Sequence, residues 1–321
     1  MKRGLVIGKF MPVHLGHVAL IEFAASRCDE LIVSMSFTEA DPIPATLRFS
    51  WLTILFANHK VIKPAMVKDD FDNDSLPLLQ RVTLWSDFIR ATFGEIDIIF
   101  SSEDYGQPFA ESLGARHVSF DLLRQKVPIS ASEIRRHPLK HWEFIPRPVR
   151  PFFVKKICLY GPESTGKSTL AMKLAARYDT EFVPEVAREF ITNNDFSFDE
   201  IVKIAVAHDE RISEKSQLAN KLLFCDTDVI TTQIYSQHYL GAVPKILYDI
   251  EEETTYALYF LLDIDVEWVA DGLRDLGHVR ETMLSVFREE LLRRKVPFIF
   301  VRGDYEMREQ MMVKEIDKLM N

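Results

Sequence analysis

Two short stretches of the chain combine residue types and spacings suited to holding phosphates. GPESTGKS, residues 161–168, meets the pattern G-x-x-x-x-G-K-[ST] between an apolar run and a helix-forming one. Gly161 and Gly166 let successive backbone N–H groups close on phosphate oxygens at a helix start, with Glu163, Ser164 and Thr165 between them and Thr169 just beyond. Lys167 supplies a charge for β and γ phosphates and Ser168 a hydroxyl for Mg²⁺. GKFMPVHLGH, residues 8–17, sets His14 and His17 around a glycine directly behind an apolar strand. At a strand-to-helix turn of this kind ligand phosphates meet the helix dipole. A metal site would need a third ligand, and no other His, Cys or paired carboxylate is near in sequence. Two structural histidines are the other alternative; phosphate binding is the favoured reading.

Further residues narrow the chemistry around each stretch. In the first half, PISASEIRR gives Ser130 as an N-cap, Ser132 in the first helical turn and Arg135 one turn later, a second anion-receiving helix start. In the second half, LLFCDTD is an apolar strand ending in carboxylates, of which Asp226 suits Mg²⁺, with a helix cap as its alternative role. PEVAREF places Glu185, Arg188 and Glu189 at helical spacing after a strand, and Glu185 is the candidate base for a substrate hydroxyl. Arg274 and Arg280 lie in a glycine-containing, loop-like segment able to close over ATP and bring guanidinium charge to the transferring phosphoryl group. No guanine-specific N/T-K-x-D sequence occurs, so the second half reads as a small-molecule kinase.

These groups have to be positioned by regular elements, and the chain alternates short apolar runs with amphipathic stretches throughout. Strands are expected over 4–7, 31–36, 61–67, 96–101 and 117–120, with helices over 18–27, 46–58 and 76–93. The rhythm restarts after a proline-rich segment, 138–151, with strands at 156–160, 180–183, 222–226, 257–262 and 298–301 and helices at 167–178, 198–220 and 305–320. The expected architecture is α/β: two doubly wound parallel-sheet domains, 1–145 and 146–321, joined by that linker. The 321 residues, 47% hydrophobic and 27% charged, suffice for two cores. Residues 1–150 balance 18 basic against 18 acidic side chains, so the net charge of −9 falls entirely in the second half. An acidic chain without a basic tract argues against nucleic-acid binding. Three scattered cysteines and no long apolar run point to the cytoplasm and away from disulfides or membrane insertion.

The pair GxFxPxHxGH and ISxSxIR, carried here by Gly8, Phe10, Pro12, His14, Gly16 and His17 and by Ile129, Ser130, Ser132, Ile134 and Arg135, resembles the signature of the HxGH nucleotidyltransferases. Followed by GPESTGKS, EVAREF and CDTD, it looks like the NadR family of bifunctional nicotinamide-nucleotide adenylyltransferases and ribosylnicotinamide kinases. The resemblance implies that the second domain phosphorylates nicotinamide riboside and the first joins the resulting mononucleotide (NMN) to AMP, giving NAD, with ATP as co-substrate and Mg²⁺ as cofactor. It implies that His14, His17 and Lys9 meet the α and β phosphates, that the Ser130–Arg135 turn holds adenosine and the outer phosphates, that Trp85 stacks on nicotinamide and that Arg48 meets the mononucleotide phosphate. It also implies that Trp268 stacks on the pyridinium in the kinase domain, beside Glu185 and Arg188. Some members carry an N-terminal DNA-binding domain; with the first strand beginning at Gly4, none is expected here. A fused pantetheine-phosphate adenylyltransferase and dephospho-CoA kinase shares this order of domain types, though HLGH fits it less well; a nucleotide-sensing protein is the non-enzymatic alternative. A homo-oligomer is compatible with the sequence.

Overall fold

The computed structural model describes residues 1–70, 75–191, 195–269 and 276–320. The chain divides into two compact units, Met1–Arg150 and Pro151–Asn321. In the first, β1 (Arg3–Gly8), α1 (Leu15–Ala25), β2 (Glu30–Phe37), α2 (Ala45–Leu55), β3 (Ile62–Lys68), α3 (Leu78–Phe93), β4 (Ile98–Ser101), α4 (Gly106–Leu113), β5 (Arg116–Ser119) and α5 (Ala131–Arg136) follow in order. The strands form one parallel sheet, β3-β2-β1-β4-β5. Strand order reverses between β1 and β4, so the crevice for a ligand opens past the carboxyl ends of those two strands. That is where the GKFMPVHLGH turn leaves β1. Val82 and Ile89 of α3 and Phe109 and Ala110 of α4 pack on Leu5, Ile32 and Ile99 of the sheet.

The second unit runs β6 (Lys155–Tyr160), α6 (Lys167–Arg177), β7 (Glu181–Val183), α7 (Ala187–Phe190), α8 (Phe198–Leu218), β8 (Leu222–Asp226), α9 (Val229–Leu240), α10 (Lys245–Glu253), β9 (Leu258–Leu262), α11 (Arg280–Arg293), β10 (Ile299–Val301) and α12 (Tyr305–Met320). Its parallel sheet is ordered β10-β9-β6-β8-β7, with β6 central. Successive strand residues feed opposite faces. Ile157, Leu159, Leu222, Phe224, Phe260 and Leu262 meet Leu170 and Leu174 of α6 and Met312 and Ile316 of α12. Cys158, Tyr160, Tyr259 and Leu261 meet Ile230 and Ile234 of α9 and Phe287 and Leu291 of α11. Strands apolar on both faces are what a sheet covered by helices on each side requires.

Several elements depart from the sequence expectation. The segment 138–151 does not behave as a linker: Trp142, Ile145 and Val149 are buried, and 3₁₀ turns at Trp142–Phe144 and Arg147–Phe152 place them. Proline prevents a longer helix there, while the three-to-four-residue spacing of the apolar side chains still makes a packing face. The compact first unit therefore ends after Arg150, not Ile145. α4, α9, α10 and α11 had no counterpart in the expected pattern, and the helical spacing read in PEVAREF corresponds to the single turn α7. Among the described residues no helix is long and apolar enough to cross a membrane.

Candidate active sites

His14 is the N-cap of α1, in extended backbone geometry. Its Nδ1 accepts from the Gly16 N–H at 3.1 Å, and the His17 Nδ1 accepts from the His14 N–H at 3.3 Å. The two histidines thus form a reciprocal capping box, with rings stacked at 3.7 Å between centroids. An imidazole that accepts at Nδ1 carries its proton on Nε2, so these hydrogen bonds assign both rings as Nε2–H donors. Burial, with help from Arg124, pushes the His14 pKa down to about 4. Burial, His14 and Arg124 push that of His17 well below its ordinary range. Two neutral donors at a helix start suit phosphate oxygens, and a protonated pair at this separation would repel. Phe10, buried and at φ 46°, sets its ring edge against His17 at 4.9 Å.

The second motif of this unit is tied to the first. Ser130 caps α5 by accepting from the Glu133 N–H at 3.2 Å; Arg135 donates to Ser132 Oγ at 3.2 Å and to the Met11 carbonyl. Beyond Gly8 and Lys9, a cavity of about 220 Å³ is lined by Ser36, Asp69, Arg81, Trp85 and Tyr105. Tyr105 and Phe109 meet the Trp85 ring edge-on at 5.6 and 5.8 Å, and the Arg81 guanidinium lies 5.0 Å from its centroid. Trp85 is therefore fixed by aromatic neighbours while accepting a cation on its ring. Arg48 is not at an open anion site. It is fully buried, pairs with Asp41 at 2.6 Å and donates to the carbonyls of Lys9, Ser36 and Ile43. A guanidinium so committed braces the loop that carries Lys9, and turning it to a ligand would strip four partners from a buried charge.

In the second unit the phosphate loop joins β6 to α6. Gly161 sits at φ 138°, with space for a Cβ closed by the Leu262 carbonyl at 3.0 Å; Gly166 sits at φ 85° against the Tyr305 ring. Both positions therefore need glycine. The buried Lys167 ammonium donates to the carbonyls of Gly161 and Pro162 at 2.9 and 2.8 Å. Ser168 and Thr169 are exposed at the start of α6, and Thr165 is buried with its hydroxyl on the Pro162 carbonyl at 3.0 Å. From α12, the fully buried Arg308 holds the loop through the Thr165 carbonyl at 2.6 Å and also binds Asp263, Gly303 and Asp265.

Asp226 ends β8 fully buried, and among the described residues neither carboxylate oxygen has a partner at full hydrogen-bond geometry, although the Ser168 hydroxyl is near enough to pull its pKa down. Burial raises its pKa against the pull of Lys167, and the charge of Glu185 pushes the same way as burial. The helix cap is Asp228 instead: it accepts from Thr231 N and Oγ1 at 2.9 and 3.0 Å and from the Tyr259 hydroxyl at 2.9 Å. Among the described residues no cluster of three His, Cys, Asp or Glu forms a self-contained metal cage. A lone buried carboxylate beside a phosphate loop fits a cation that takes most of its other ligands from nucleotide and water, as Mg²⁺ does.

A cavity of about 320 Å³ adjoins the loop. Glu185, with Arg188 Nε 3.3 Å from its Oε2, lines it. Glu189 does not line it and pairs with Arg211 at 3.2 Å. Trp268 is also absent from the lining: it packs against Gly277, with the Arg280 guanidinium 5.4 Å from its ring centroid. Arg280 donates to the Ser164 and Val266 carbonyls, both at 3.2 Å, and so braces the loop. Arg274 lies outside the described residues.

The sequence profile of a family described as an AAA domain matches residues 156–308. The trifunctional NAD biosynthesis/regulator protein NadR of Salmonella typhimurium is 32% identical over 99% of this chain and 83% of its own length. That of Escherichia coli is 33% identical over 95% of this chain and 80% of its own length. The chain belongs to the NadR family. Solved NadR structures, one with NR and one with NAD and AMP-PNP, superimpose with a TM-score of 0.82 over 99% of this chain and 95% of theirs, at 21% identity, and share its fold. A nicotinamide-nucleotide adenylyltransferase of Thermococcus onnurineus is 26% identical over 49% of the chain and 83% of its own length.

In this NadR-family chain the aromatic wall of the kinase cavity comes from residues that the motifs do not reveal: Phe196 ahead of α8, and Tyr235 and Tyr239 on α9. The one local signal was the cap residue, Asp228, because VITTQIYSQHYL has little amphipathic pattern of its own.

Proposed function

We propose that the protein is a bifunctional enzyme of NAD biosynthesis, with the second unit phosphorylating nicotinamide riboside from ATP and the first transferring the adenylyl group of ATP to NMN, releasing pyrophosphate and NAD. Kinship to NadR proteins over nearly the whole chain supports it. The observation that supports it most is that each unit has a strand-to-helix turn carrying donors suited to phosphate: paired Nε2–H groups in one, the glycine loop with Lys167 in the other.

In the first unit the phosphate of NMN attacks the α phosphate in line, and no covalent intermediate is needed. His14 and His17 donate to phosphate oxygens, Lys9 adds charge, and Arg135 with Ser130 and Ser132 holds the far end of the nucleotide. Positioning and charge stabilisation supply the rate. Trp85 receives the nicotinamide, a cation, on its ring. In the second unit Lys167 and the loop N–H groups take the β and γ phosphates. Glu185, half-buried on the cavity side, accepts the proton of the riboside's primary hydroxyl. Mg²⁺ would be held by Ser168 and Asp226, where it neutralises charge on the phosphates. The substrates, ATP and NAD fit an enzyme working in the cytoplasm.

The test is to incubate the purified protein with Mg-ATP and nicotinamide riboside, and separately with Mg-ATP and NMN, and to identify products by mass. NMN in the first and NAD in the second are expected; absence of either removes the corresponding unit from the proposal.

A further inference from the structure

Phosphoryl transfer as described above gives His208 no task. This residue projects from α8, is 4% exposed, lines the cavity and has no hydrogen-bond partner at Nε2 among the described residues. Leaving such a buried atom unsatisfied is costly to folding. A Leu or Met would pack there without that cost, so the histidine is unexplained by folding alone. The same cavity is lined by Ile201 and Ile204, on the same face of α8 as His208, and by Phe196, Tyr235 and Tyr239. That wall suits a flat ring, whereas Glu185, Arg188 and the loop provide the polar groups for ribose and phosphate.

We propose that His208 is a specificity-determining residue of the riboside kinase, reading the carboxamide of the nicotinamide ring through Nε2. The proposal rests on the riboside-kinase reading given above. Two features of the group match that ligand. Burial pushes the His208 pKa down to about 4, so the imidazole is neutral beside a pyridinium that an imidazolium would repel. A neutral imidazole nitrogen can either donate to the amide carbonyl or accept from the amide NH₂, and an amide offers both. A site built to hydrogen-bond a substrate group discriminates strongly against the analogue lacking it, because its own polar atom is then left unpaired.

The experiment measures kcat/KM of the full-length protein on nicotinamide riboside and on pyridinium riboside lacking the carboxamide, for wild type, His208→Phe and His208→Gln, with the KM for ATP in each. Wild type should prefer the carboxamide-bearing substrate. His208→Phe should lower kcat/KM on nicotinamide riboside about 10- to 100-fold more than on the unsubstituted riboside. His208→Gln, which keeps a donor and an acceptor, should retain most of the preference and shows the outcome even if the Phe variant folds poorly. Equal losses on both ribosides, or a wild type without preference, would overturn the assignment. Failure of the wild type to phosphorylate either riboside would instead overturn the kinase reading.

Discussion

Replacing Gly16 with alanine should cripple adenylyl transfer while leaving the fold almost as stable as before. Gly16 lies in α1 with helical backbone, so a methyl group brings no backbone strain. The strain comes from its neighbour: an added Cβ would stand 2.9 Å from His14 Cε1 and 3.0 Å from Nδ1. Carbon atoms in contact prefer about 3.5–4.0 Å, so the His14 ring has to retreat by at least about half an ångström. It is buried and stacked at 3.7 Å on His17, so it can retreat only by leaving its cap position and turning Nε2 away from the phosphate site. Misplacing a catalytic group by about 1 Å costs about 10²-fold in rate. Stability changes little because two terms oppose each other: losing the cap costs about 0.5–2 kcal/mol, and alanine gains up to about 1 kcal/mol over glycine in a helix. The assay is NAD formation from NMN and ATP, with phosphorylation of nicotinamide riboside by the same chain as internal control and denaturant unfolding as the stability measure. Activity within about threefold of wild type would refute the claim that His14 must be held where it is. A loss of adenylyl transfer accompanied by more than about 3 kcal/mol of destabilisation would attribute the effect to folding instead.

The two activities should separate, with Lys167→Ala abolishing riboside phosphorylation and sparing NAD formation, and His17→Ala doing the reverse; product analysis of both reactions checks this, and loss of both activities in a folded variant would contradict two independent sites. Glu185→Gln should lower the kinase kcat about 10²- to 10⁴-fold, whereas Asp226→Asn should raise the Mg²⁺ concentration required, so titrating Mg²⁺ against each variant tells base from metal ligand. His14 ionises at about 4 when folded against 6.5 ordinarily, so the stability it contributes is complete above pH 6.5 and is lost as pH falls toward 4. The full effect is about 3 kcal/mol; unfolding of His14→Asn, which keeps a capping side chain without the titration, should show a shallower fall over that window.

The phosphate-binding turns were legible in the sequence because their chemistry is local. A glycine at φ 138° or 85° and a histidine capping the helix that begins one residue later are settled by spacing within a single turn. Most strands were legible for a related reason: buried parallel strands such as LLFCD, Leu222–Asp226, are apolar on both faces and stand out as runs. Sequence alone therefore determined two α/β units, their order and the two turns proposed to bind phosphates. Tertiary structure decided what surrounds those places. Arg48 reads as a cation available for a ligand until sheet and loop bring the Lys9 carbonyl and Asp41 to it. Arg308 holds a loop carbonyl from 143 residues away, and no local pattern marks such a partnership. Trp268 leaves the cavity because it packs against Gly277, while Phe196, His208, Tyr235 and Tyr239 enter because α8 and α9 pack beside the loop. Backbone geometry is specified by neighbours in sequence, but the identity of a cavity wall depends on which faces of distant helices are buried together, and only the folded chain fixes that.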